Sequence, residues 1–354
     1  MITGNKGEWS EIYTLFKLLG DGKIHAADSN LNKLDSVYFP IIRVLREEVA
    51  KQIYEYKIDK KIQVYNEDVL LTEIDPSEFT SEATYLFNQI LTGTGSFYIS
   101  RTEAFMNSIG CLKIAAPSQD KTDILMEIHD IQTGYTSMTG FSIKSKLGTP
   151  ATLVNASKAT NFIFELVGAS DEMCNDINLI STRSKLIDRL NYIKTNSIEL
   201  KYLETNNTYF KSNLMLIDSN MNEILAYAIK YSYLSNVKSC LEIVELLEKE
   251  NPLKYPDSGF YTYKFKKFLT AIALGMNPSK KWSGKDDANG GYIIVKADGD
   301  VLAYHLYNRN QFEDYLLKDT CFERGSTSKH DYADAYDIDG KKAINLNLQI
   351  RFNK

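Results

Sequence analysis

Cysteine is scarce in this chain, and its four cysteines form no Cys-x-x-Cys pair. Neither a zinc site nor a disulfide framework is indicated, so we expect reduced cysteines that serve as packing residues. Long apolar stretches are missing too, because no run approaches the roughly 18–20 apolar residues of a membrane helix. The N-terminus also lacks the basic-then-apolar pattern of a secretion signal. We expect a cytoplasmic protein without a membrane partner.

Histidine is equally scarce, which argues against several kinds of metallohydrolase. The sequence contains no HxH, HExxH or His-Asn-His arrangement. His330-Asp331 with the nearby Asp334 resembles a metal-binding group, but we expect a solvated loop there. With 44% hydrophobic and 25% charged residues, the 354-residue chain can bury one large core or two ordinary ones.

The segment 123–148 carries the most informative pattern. Alternation along its first strand places Asp130 at the end of a buried stripe. After a glycine-containing turn, the same alternation sends Ser142 and Lys144 to one face of the second strand, while Ile143 points to the core. We therefore expect one carboxylate, one hydroxyl and one ammonium group to converge.

These groups suit metal-assisted phosphodiester hydrolysis. A Mg²⁺ ion prefers oxygen ligands from one or two carboxylates together with the phosphate of its substrate. Lys144 could then orient the attacking water or offset charge that develops on phosphorus. The alternative is a surface hairpin in which Asp130 makes an Asx-turn and Lys144 is solvated.

Three longer blocks accompany this hairpin and span both ends of the chain. They read GNKGEWSEIYTLFKLL at 4–19, GFSIKSKLGTPATLVNASKATNFIFEL at 140–166, and FLTAIALGMNPSKKWSGKDDANGGYIIVKADGD at 268–300 with a closing LNLQIRF at 346–352. In these blocks the chain resembles the HpaII-type restriction endonucleases of the PD-(D/E)xK nuclease superfamily. The resemblance implies a type II enzyme that cuts double-stranded DNA at CCGG with Mg²⁺ and leaves 5′-phosphates. It also implies a cognate methyltransferase that protects the host.

Carried over position by position, the resemblance places the acidic strand-end residue of the superfamily on Asp130 and its lysine on Lys144. The Ile143 carbonyl would add a metal ligand. Ser142 is a departure, because the superfamily usually has Glu, Asp or Gln at that position. A second acid must therefore come from elsewhere.

Glu11 is the better of two candidates for this second acid. On a helical wheel of residues 9–19 it falls inside a broad apolar arc, between Leu15 and Leu18. A carboxylate on a core-facing stripe is costly unless it is paired or bound to metal. The resemblance also implies a metal-binding Glu on the first helix, which Glu11 matches. The alternative is that Glu11 only favours the helix N-terminus through its dipole.

Glu165 is the second candidate, on a strand that we expect beside the catalytic hairpin. Two other acids are expected to be structural. Glu127 should point to the face opposite Asp130, and Asp123 lies too far back along the strand.

Candidate DNA contacts lie mainly in the second half of the chain, although the whole chain carries a net charge of −5. From Ser258 onward there are fifteen Lys and Arg against twelve Asp and Glu, a small basic excess that an ordinary solvated surface would also explain. Arginine can pair with guanine edges, whereas hydroxyls and lysines suit phosphates. Helix capping remains open for the asparagines, and simple solvation for the helix lysines. The predicted DNA-binding residues are Asn155, Thr160, Asn161, Lys264, Lys267, Arg324, Ser326 and Lys329.

The pattern of elements predicts an α/β protein in three parts. A mixed-sheet, restriction-endonuclease-like core flanked by helices is expected over residues 1–170, a mostly helical connector over 171–256, and a β-rich DNA-recognition region over 257–354. Predicted helices cover 8–19, 40–56, 77–91, 101–109, 222–249 and 258–276, with strands near 62–65 and 161–167 and a hairpin turn at Asp298-Gly299.

Two other functions stay open at this point. Ser142 motivates a catalytically silent, nuclease-like DNA-binding protein. Asp130 with Glu165 could instead form the acid–base pair of a glycosidase-like hydrolase, although Lys144 argues against it. For a nuclease, cutting both strands of a palindrome favours a homodimer or sequential nicking, and the sequence does not choose between them.

Overall fold

The computed structural model describes residues 1–49, 52–115 and 122–354 and divides the chain into two compact units. The first unit comprises residues 1–151 and 286–315 with the terminal residue 354, and the second comprises 152–285 and 316–353. The α/β class is confirmed, because each unit combines helices with sheets. Among the described residues, no helix is long and apolar enough to span a bilayer.

Residues 1–151 form the larger part of the first unit. The predicted helices at 8–19, 77–91 and 101–109 and the strand at 62–65 are confirmed. The elements are β1 (Thr3–Gly4), α1 (Lys6–Asp21), β2 (Lys23–Ala27), β3 (Lys33–Val49), β4 (Gln52–Ile58), β5 (Ile62–Asn66), β6 (Val69–Ile74), α2 (Pro76–Thr92), β7 (Phe97–Tyr98), α3 (Ser100–Ser108), β8 (Ile124–His129) and β9 (Thr136–Ser145).

Residues 152–285 are mostly helical and belong to the second unit. The elements are β10 (Thr152–Val154), a 3₁₀ turn (Lys158–Thr160), β11 (Asn161–Val167), α4 (Asp171–Leu179), α5 (Lys185–Thr195), β12 (Glu199–Thr205), α6 (Thr208–Ile217), α7 (Met221–Ser235), α8 (Cys240–Glu250) and α9 (Phe260–Leu274).

Of the remaining residues, 286–315 belong to the first unit and 316–353 to the second. The hairpin turn at Asp298-Gly299 is confirmed. The elements are β13 (Gly291–Val295), β14 (Val301–His305), a 3₁₀ turn (Leu306–Asn308), α10 (Arg309–Lys318), β15 (Thr320–Phe322), α11 (Thr327–His330), β16 (Ala335–Ile338), β17 (Lys341–Asn347) and β18 (Ile350–Phe352).

The first unit is built around a mixed sheet of nine strands in the order β2-β14-β13-β9-β8-β3-β4-β5-β6. An additional pairing of β2 with β3 closes six of these strands into a ring. β9 is central, because it pairs antiparallel with β8 and parallel with β13. The compact units differ from the expected linear division at residue 170: β13 and β14, which we had placed in the C-terminal region, belong to the sheet of the hairpin.

Helix α1 packs one face against this sheet. A capping box starts it, since the Asn5 side chain accepts from the backbone N–H of Glu8 while Glu8 Oε2 accepts from the backbone N–H of Asn5. Gly22, in the left-handed conformation, ends it. The apolar arc of the helix is buried, including Trp9 and Phe16. The wheel expected from the sequence is thus confirmed.

Two predicted helices are corrected. The helix expected over 40–56 is wrong: residues 40–49 belong to strand β3 and 52–56 to strand β4, while 50 and 51 lie outside the described residues. Alternate tyrosines at Tyr54 and Tyr56 point into the core. A period of two fits this burial, and a helix would not. The helix expected over 222–249 is two helices, α7 and α8. It breaks at Asn236, which adopts the left-handed conformation, and Ser239 caps the next helix.

The second unit contains two smaller sheets. One has four strands in the order β12-β11-β17-β16, and the other has three in the order β10-β18-β15. Strand β11, which carries Glu165, therefore does not pair with the β8–β9 hairpin. That expectation is wrong, because β11 pairs with β12 and β17.

Gly291 offers a direct test of the ring of strands. Its φ is +110°, and a Cβ built there would lie 2.0 Å from the Tyr304 carbonyl oxygen on β14. We expect Gly291→Ala to lower the free energy of unfolding by about 2 kcal/mol or more, as measured by chemical denaturation. Gly134, also at positive φ but with no atom within 4 Å of such a Cβ, is the matched control. Gly134→Ala should cost about 1 kcal/mol, and an equal loss in the two variants would contradict the close approach.

Candidate functional site

Asp123 lies immediately before β8 and faces the strand that carries Ser142. Its backbone N–H donates to the Phe141 carbonyl at 2.9 Å, which continues the antiparallel pairing beyond Ile124. Its carboxylate oxygen Oδ2 accepts two hydrogen bonds, from the Ile143 backbone N–H at 2.6 Å and from Ser142 Oγ at 3.0 Å. The carboxylate is thus fixed by the backbone of the central strand β9.

Lys144 completes this group. It lies two residues beyond Ser142 on β9, on the same face of the strand. Its Nζ donates to Ser142 Oγ at 2.8 Å and to the Ile143 carbonyl at 3.3 Å, and it lies 4.0 Å from Asp123 Oδ2. Ser142 Oγ therefore joins the lysine to the carboxylate by two hydrogen bonds. The ring of Tyr292, on the adjacent strand β13, lies 5.4 Å from Nζ. Burial raises the pKa of Tyr292, and the charge of Asp123 adds to this effect, so a neutral ring lines the site.

Asp130 does not join Ser142 and Lys144, contrary to the expected convergence. It lies at the turn end of the hairpin, seven residues beyond Asp123, which corresponds to roughly 23 Å along an extended strand. Its Oδ1 accepts the backbone N–H of Gln132 at 2.8 Å, and its carbonyl accepts the N–H of Gly134. This is the Asx-turn that the alternative interpretation described.

The electrostatics of Asp130 fit a structural role. Burial alone would raise its pKa, but hydrogen bonds from Gln132 and Thr133 outweigh burial and hold the pKa below its usual value. The charge of Asp130 also acts on His305, whose pKa burial nevertheless lowers to about 4. His305 is therefore neutral at pH 7.

Glu11 is partly buried on α1, as expected for a carboxylate within the apolar arc. The preceding residue, Ser10, donates from Oγ to Ser145 Oγ at 2.8 Å, one position beyond Lys144. Helix α1 thus lies against the end of β9 that carries the lysine.

The donor set for a metal ion is sparse. Among residues 1–49, 52–115 and 122–354, no group of three or more His, Cys, Asp and Glu could hold a metal ion. Asp123 offers Oδ1, since both of its described carboxylate hydrogen bonds fall on Oδ2. The Ile143 carbonyl, which accepts from Lys144 Nζ, is a further oxygen of this group. Such oxygens suit Mg²⁺, which commonly takes one or two carboxylates and completes its shell with water and substrate phosphate.

Glu165, the weaker metal candidate, belongs to the second unit and is paired there. Lys341 Nζ lies 3.2 Å from its Oε2. The acid–base pair of Asp130 with Glu165 is unsupported as well, because one carboxylate supports a turn and the other an ion pair.

The polar loop after β10 is mainly structural. Thr160 is fully buried and its Oγ1 donates to the Ser157 carbonyl at 3.0 Å. Asn161 is also buried, and its Nδ2 donates to the carbonyls of His330 and Asp331 at 3.0 Å. Both side chains are buried and hydrogen-bonded within the protein, which favours the structural alternative. Their contact with DNA stays a prediction. Asn155 is exposed.

The two lysines of α9 differ from the expected phosphate-facing pair. Lys264 forms a half-buried ion pair with Asp218 at 2.5 Å, which also raises the lysine pKa against the opposing effect of burial. Lys267 lies 4.8 Å from the ring centre of Tyr263. Lys264 is thus neutralised inside the unit, and only Lys267 remains a candidate.

The segment 324–329 is more ordered than the expected loop. Ser326 caps the short helix α11 by accepting the backbone N–H of Lys329, and both residues are exposed. Arg324 donates from Nη2 to the Ser232 carbonyl at 3.4 Å and to Asn236 Oδ1 at 3.2 Å. These three residues remain candidates for contact with DNA.

The sequence analysis gave Asp123 a structural role, although a signal for its place beside Ser142 was present. In an antiparallel hairpin, the end of the second strand pairs with the start of the first. Lys144 is nine residues after Tyr135 in the turn, so its partner must lie well before the turn and cannot be Asp130. In the observed register Ser142 falls opposite Asp123, one pair beyond Ile124 and Phe141.

Comparisons with known proteins define the class of this protein. They identify a type II restriction endonuclease, a site-specific deoxyribonuclease. The family model described as HpaII restriction endonuclease matches residues 5–352. The type II restriction enzyme HpaII of Haemophilus parainfluenzae is 40% identical over 358 residues, which cover 99% of this chain and 98% of that protein. The chain therefore belongs to the HpaII restriction endonuclease family, as its sequence blocks indicated. No solved structure matches it significantly.

His305 predicts a dependence of stability on pH. Its folded-state pKa of about 4 lies below the ordinary value of 6.5, so the unfolded chain binds the extra proton more readily. The free energy of unfolding should therefore fall as pH drops from 6.5, by about 2 kcal/mol at pH 5. Denaturation curves at pH 7 and pH 5 measure this loss.

His305→Gln is the control for this prediction, because glutamine can accept the Tyr307 N–H that His305 Nδ1 accepts at 3.2 Å but does not titrate. The variant should lose most of the pH dependence. An undiminished loss of stability at pH 5 in the variant would assign the effect to other groups.

Proposed function

We propose that this protein cleaves double-stranded DNA at CCGG with Mg²⁺, and that Asp123, Lys144 and Glu11 form its catalytic group. The observation that carries the proposal is the hydrogen-bonded chain from Asp123 through Ser142 to Lys144 on adjoining strands. The restriction endonuclease family supports DNA as the substrate. The resemblance of the sequence to HpaII-type enzymes supports CCGG and 5′-phosphate products.

Asp123 is the proposed principal metal ligand. The Ile143 N–H and Ser142 Oγ orient its carboxylate through Oδ2, which leaves Oδ1 to face a cation. The Ile143 carbonyl supplies a second oxygen. Bound Mg²⁺ would contribute positive charge at the scissile phosphate. Because β9 is held on both sides by other strands, these oxygens are pre-positioned.

Lys144 is the proposed water-orienting and charge-stabilising residue. It remains partly exposed, with 27% of its side chain accessible, while its Nζ is held by Ser142. The ammonium group has three N–H donors, so it can contact an attacking water or a phosphate oxygen as well as Ser142 Oγ. Ser142 is then a positioning residue that joins acid and lysine.

Glu11 is the proposed second metal-binding acid. The Ser10–Ser145 contact brings its helix to the end of β9. A magnesium ion held by two carboxylates, a carbonyl and a substrate phosphate matches the ligands that this cation prefers. A cognate methyltransferase would protect host DNA. A homodimer or sequential nicking would account for cleavage of both strands.

A second function is favoured by one observation, the hydroxyl of Ser142 at a position where the superfamily usually carries Glu, Asp or Gln. With only 2% exposure, Ser142 leaves little room for another ligand there. The corresponding alternative is a catalytically silent, site-specific DNA-binding protein, which would bind without metal and leave DNA intact.

Cleavage of a plasmid with several CCGG sites tests the proposed function. We expect discrete fragments with Mg²⁺ and none with EDTA, with ends that sequencing places within CCGG. Asp123→Asn keeps the hydrogen-bond acceptor but removes the charge, and it should slow cleavage by about 100-fold or more.

Asp130→Asn is the matched control, because it makes the same chemical change at the turn end of the same hairpin. It should leave the cleavage rate within a few-fold of wild type. The reverse ranking of the two variants would restore Asp130 as the catalytic acid. An intact plasmid together with a specific gel shift would favour the silent binder.

Glu11→Gln tests the second acid separately. Loss of one metal-binding carboxylate should raise the Mg²⁺ concentration for half-maximal cleavage by about 10-fold or more. Glu165→Gln makes the same change in the second unit and should not move the Mg²⁺ curve. If Glu11→Gln keeps the wild-type curve, the role of Glu11 is confined to the helix.

A further inference from the structure

We propose that a basic groove on the second unit binds the sugar-phosphate backbone of duplex DNA through Arg183, Lys185, Lys194 and Arg324. The groove is formed by two adjoining hollows that share Ile187 and Arg324. It lies between the start of α5 and the segment before α11. This inference rests on the proposed function, because it assumes that DNA is the ligand.

The lining of the groove has the chemistry of a phosphate contact. Arg183 and Lys185 line one hollow together with hydroxyl groups, and Lys194 lines the other beside two asparagines. Phosphate contacts in DNA-binding proteins come mainly from Arg, Lys, Ser, Thr and Asn side chains. The hydroxyl and amide side chains in the two hollows are Thr182, Ser184, Ser326, Thr327, Asn191 and Asn236.

The charge of this groove is not neutralised internally. Within the part of the chain that the structure describes, Arg183, Lys185 and Lys194 have no carboxylate partner. Elsewhere in the second unit, many cations are paired. These pairs are Lys158–Asp331, Arg189–Asp334, Lys211–Glu204, Lys249–Glu250, Lys264–Asp218, Lys341–Glu165, Lys342 with Asp171 and Asp337, and Arg351–Glu323.

Arg324 is held in the groove by neutral partners only. Its Nη2 donates to the Ser232 carbonyl and to Asn236 Oδ1, and its guanidinium carbon lies 5.3 Å from the ring centre of Tyr233. These contacts orient the side chain without cancelling its charge. A guanidinium group that is already oriented loses little conformational entropy when it binds a phosphate.

The nearest acid in the chain, Asp188, lies outside the lining of the groove. Its Oδ2 accepts a hydrogen bond from Thr182 Oγ1. The groove therefore presents cations and neutral donors to its surroundings. A polyanion with regularly spaced phosphates matches this surface, and bound DNA releases counterions for each phosphate that is neutralised.

The test is the salt dependence of DNA binding by an Arg183→Ala, Lys185→Ala double variant. Fluorescence anisotropy with a labelled duplex, in EDTA to prevent cleavage, gives the dissociation constant at several salt concentrations. We expect the slope of log affinity against log salt to fall in magnitude by about two and the dissociation constant to rise about 10-fold or more. The loss should be equal for duplexes with and without CCGG, because backbone contacts carry no direct sequence information.

Two control variants make the result specific. Lys211→Ala, Lys249→Ala removes the same charge from paired, exposed lysines of the same unit and should keep the wild-type slope. Arg183→Lys, Lys185→Arg retains the charge and should also keep it.

Three results would overturn the groove assignment alone. They are a wild-type slope in the alanine variant, an equal loss in the Lys211 and Lys249 control, and a loss confined to CCGG duplexes. A wild-type protein that binds no duplex and cuts none would overturn the proposed function, and the groove assignment with it.

Discussion

The hydrogen bond from the Ile143 backbone N–H to Asp123 Oδ2 fixes the geometry of the candidate site. It joins the start of β8 to the end of β9, beyond the last regular pair of the hairpin. Because β9 also pairs in parallel with β13, the donor belongs to a strand supported on both sides. The position of the carboxylate thus depends on the register of the sheet. The lysine then follows from the alternation along β9, one residue beyond Ile143.

Because position 142 holds serine, the site has one carboxylate fewer, but its acid and its lysine are joined by hydrogen bonds through the serine hydroxyl. A carboxylate at that position would add a metal ligand, whereas the hydroxyl donates to Asp123 and accepts from Lys144. The free protein therefore presents few ligands for a hard cation, and the scissile phosphate would have to supply part of the shell. Metal binding and DNA binding are expected to be mutually favourable, since each ligand would complete the site for the other.

Sequence reasoning located the hairpin, its serine and its lysine, because alternation with period two determines which residues share a face. It grouped them with Asp130, whereas Asp123 lies beside them in the structure, because alternation alone does not say which end of one strand meets which end of the next. Register decides this, and the observed register sets Asp123 opposite Ser142, one pair beyond Ile124 and Phe141. The placement of Glu165 failed for a related reason, since a strand pattern does not identify the sheet that it joins. Thr160 and Asn161 have the composition of a binding loop, but their partners on distant segments bury them.

The sequence alone also does not show which cations are available to DNA. The net charge of −5 argues against DNA binding only if every cation counts equally. Lys264 was an attractive phosphate contact in the sequence, but Asp218 neutralises it. Arg183 and Lys185 drew no attention in the sequence, yet they lack a carboxylate partner among the described residues. An internally paired cation loses one partner when it binds a phosphate, so its net gain is small, whereas an unpaired cation gains the whole interaction. The cations available to DNA are therefore identified by their partners, and neither their number nor their order in the chain reveals them.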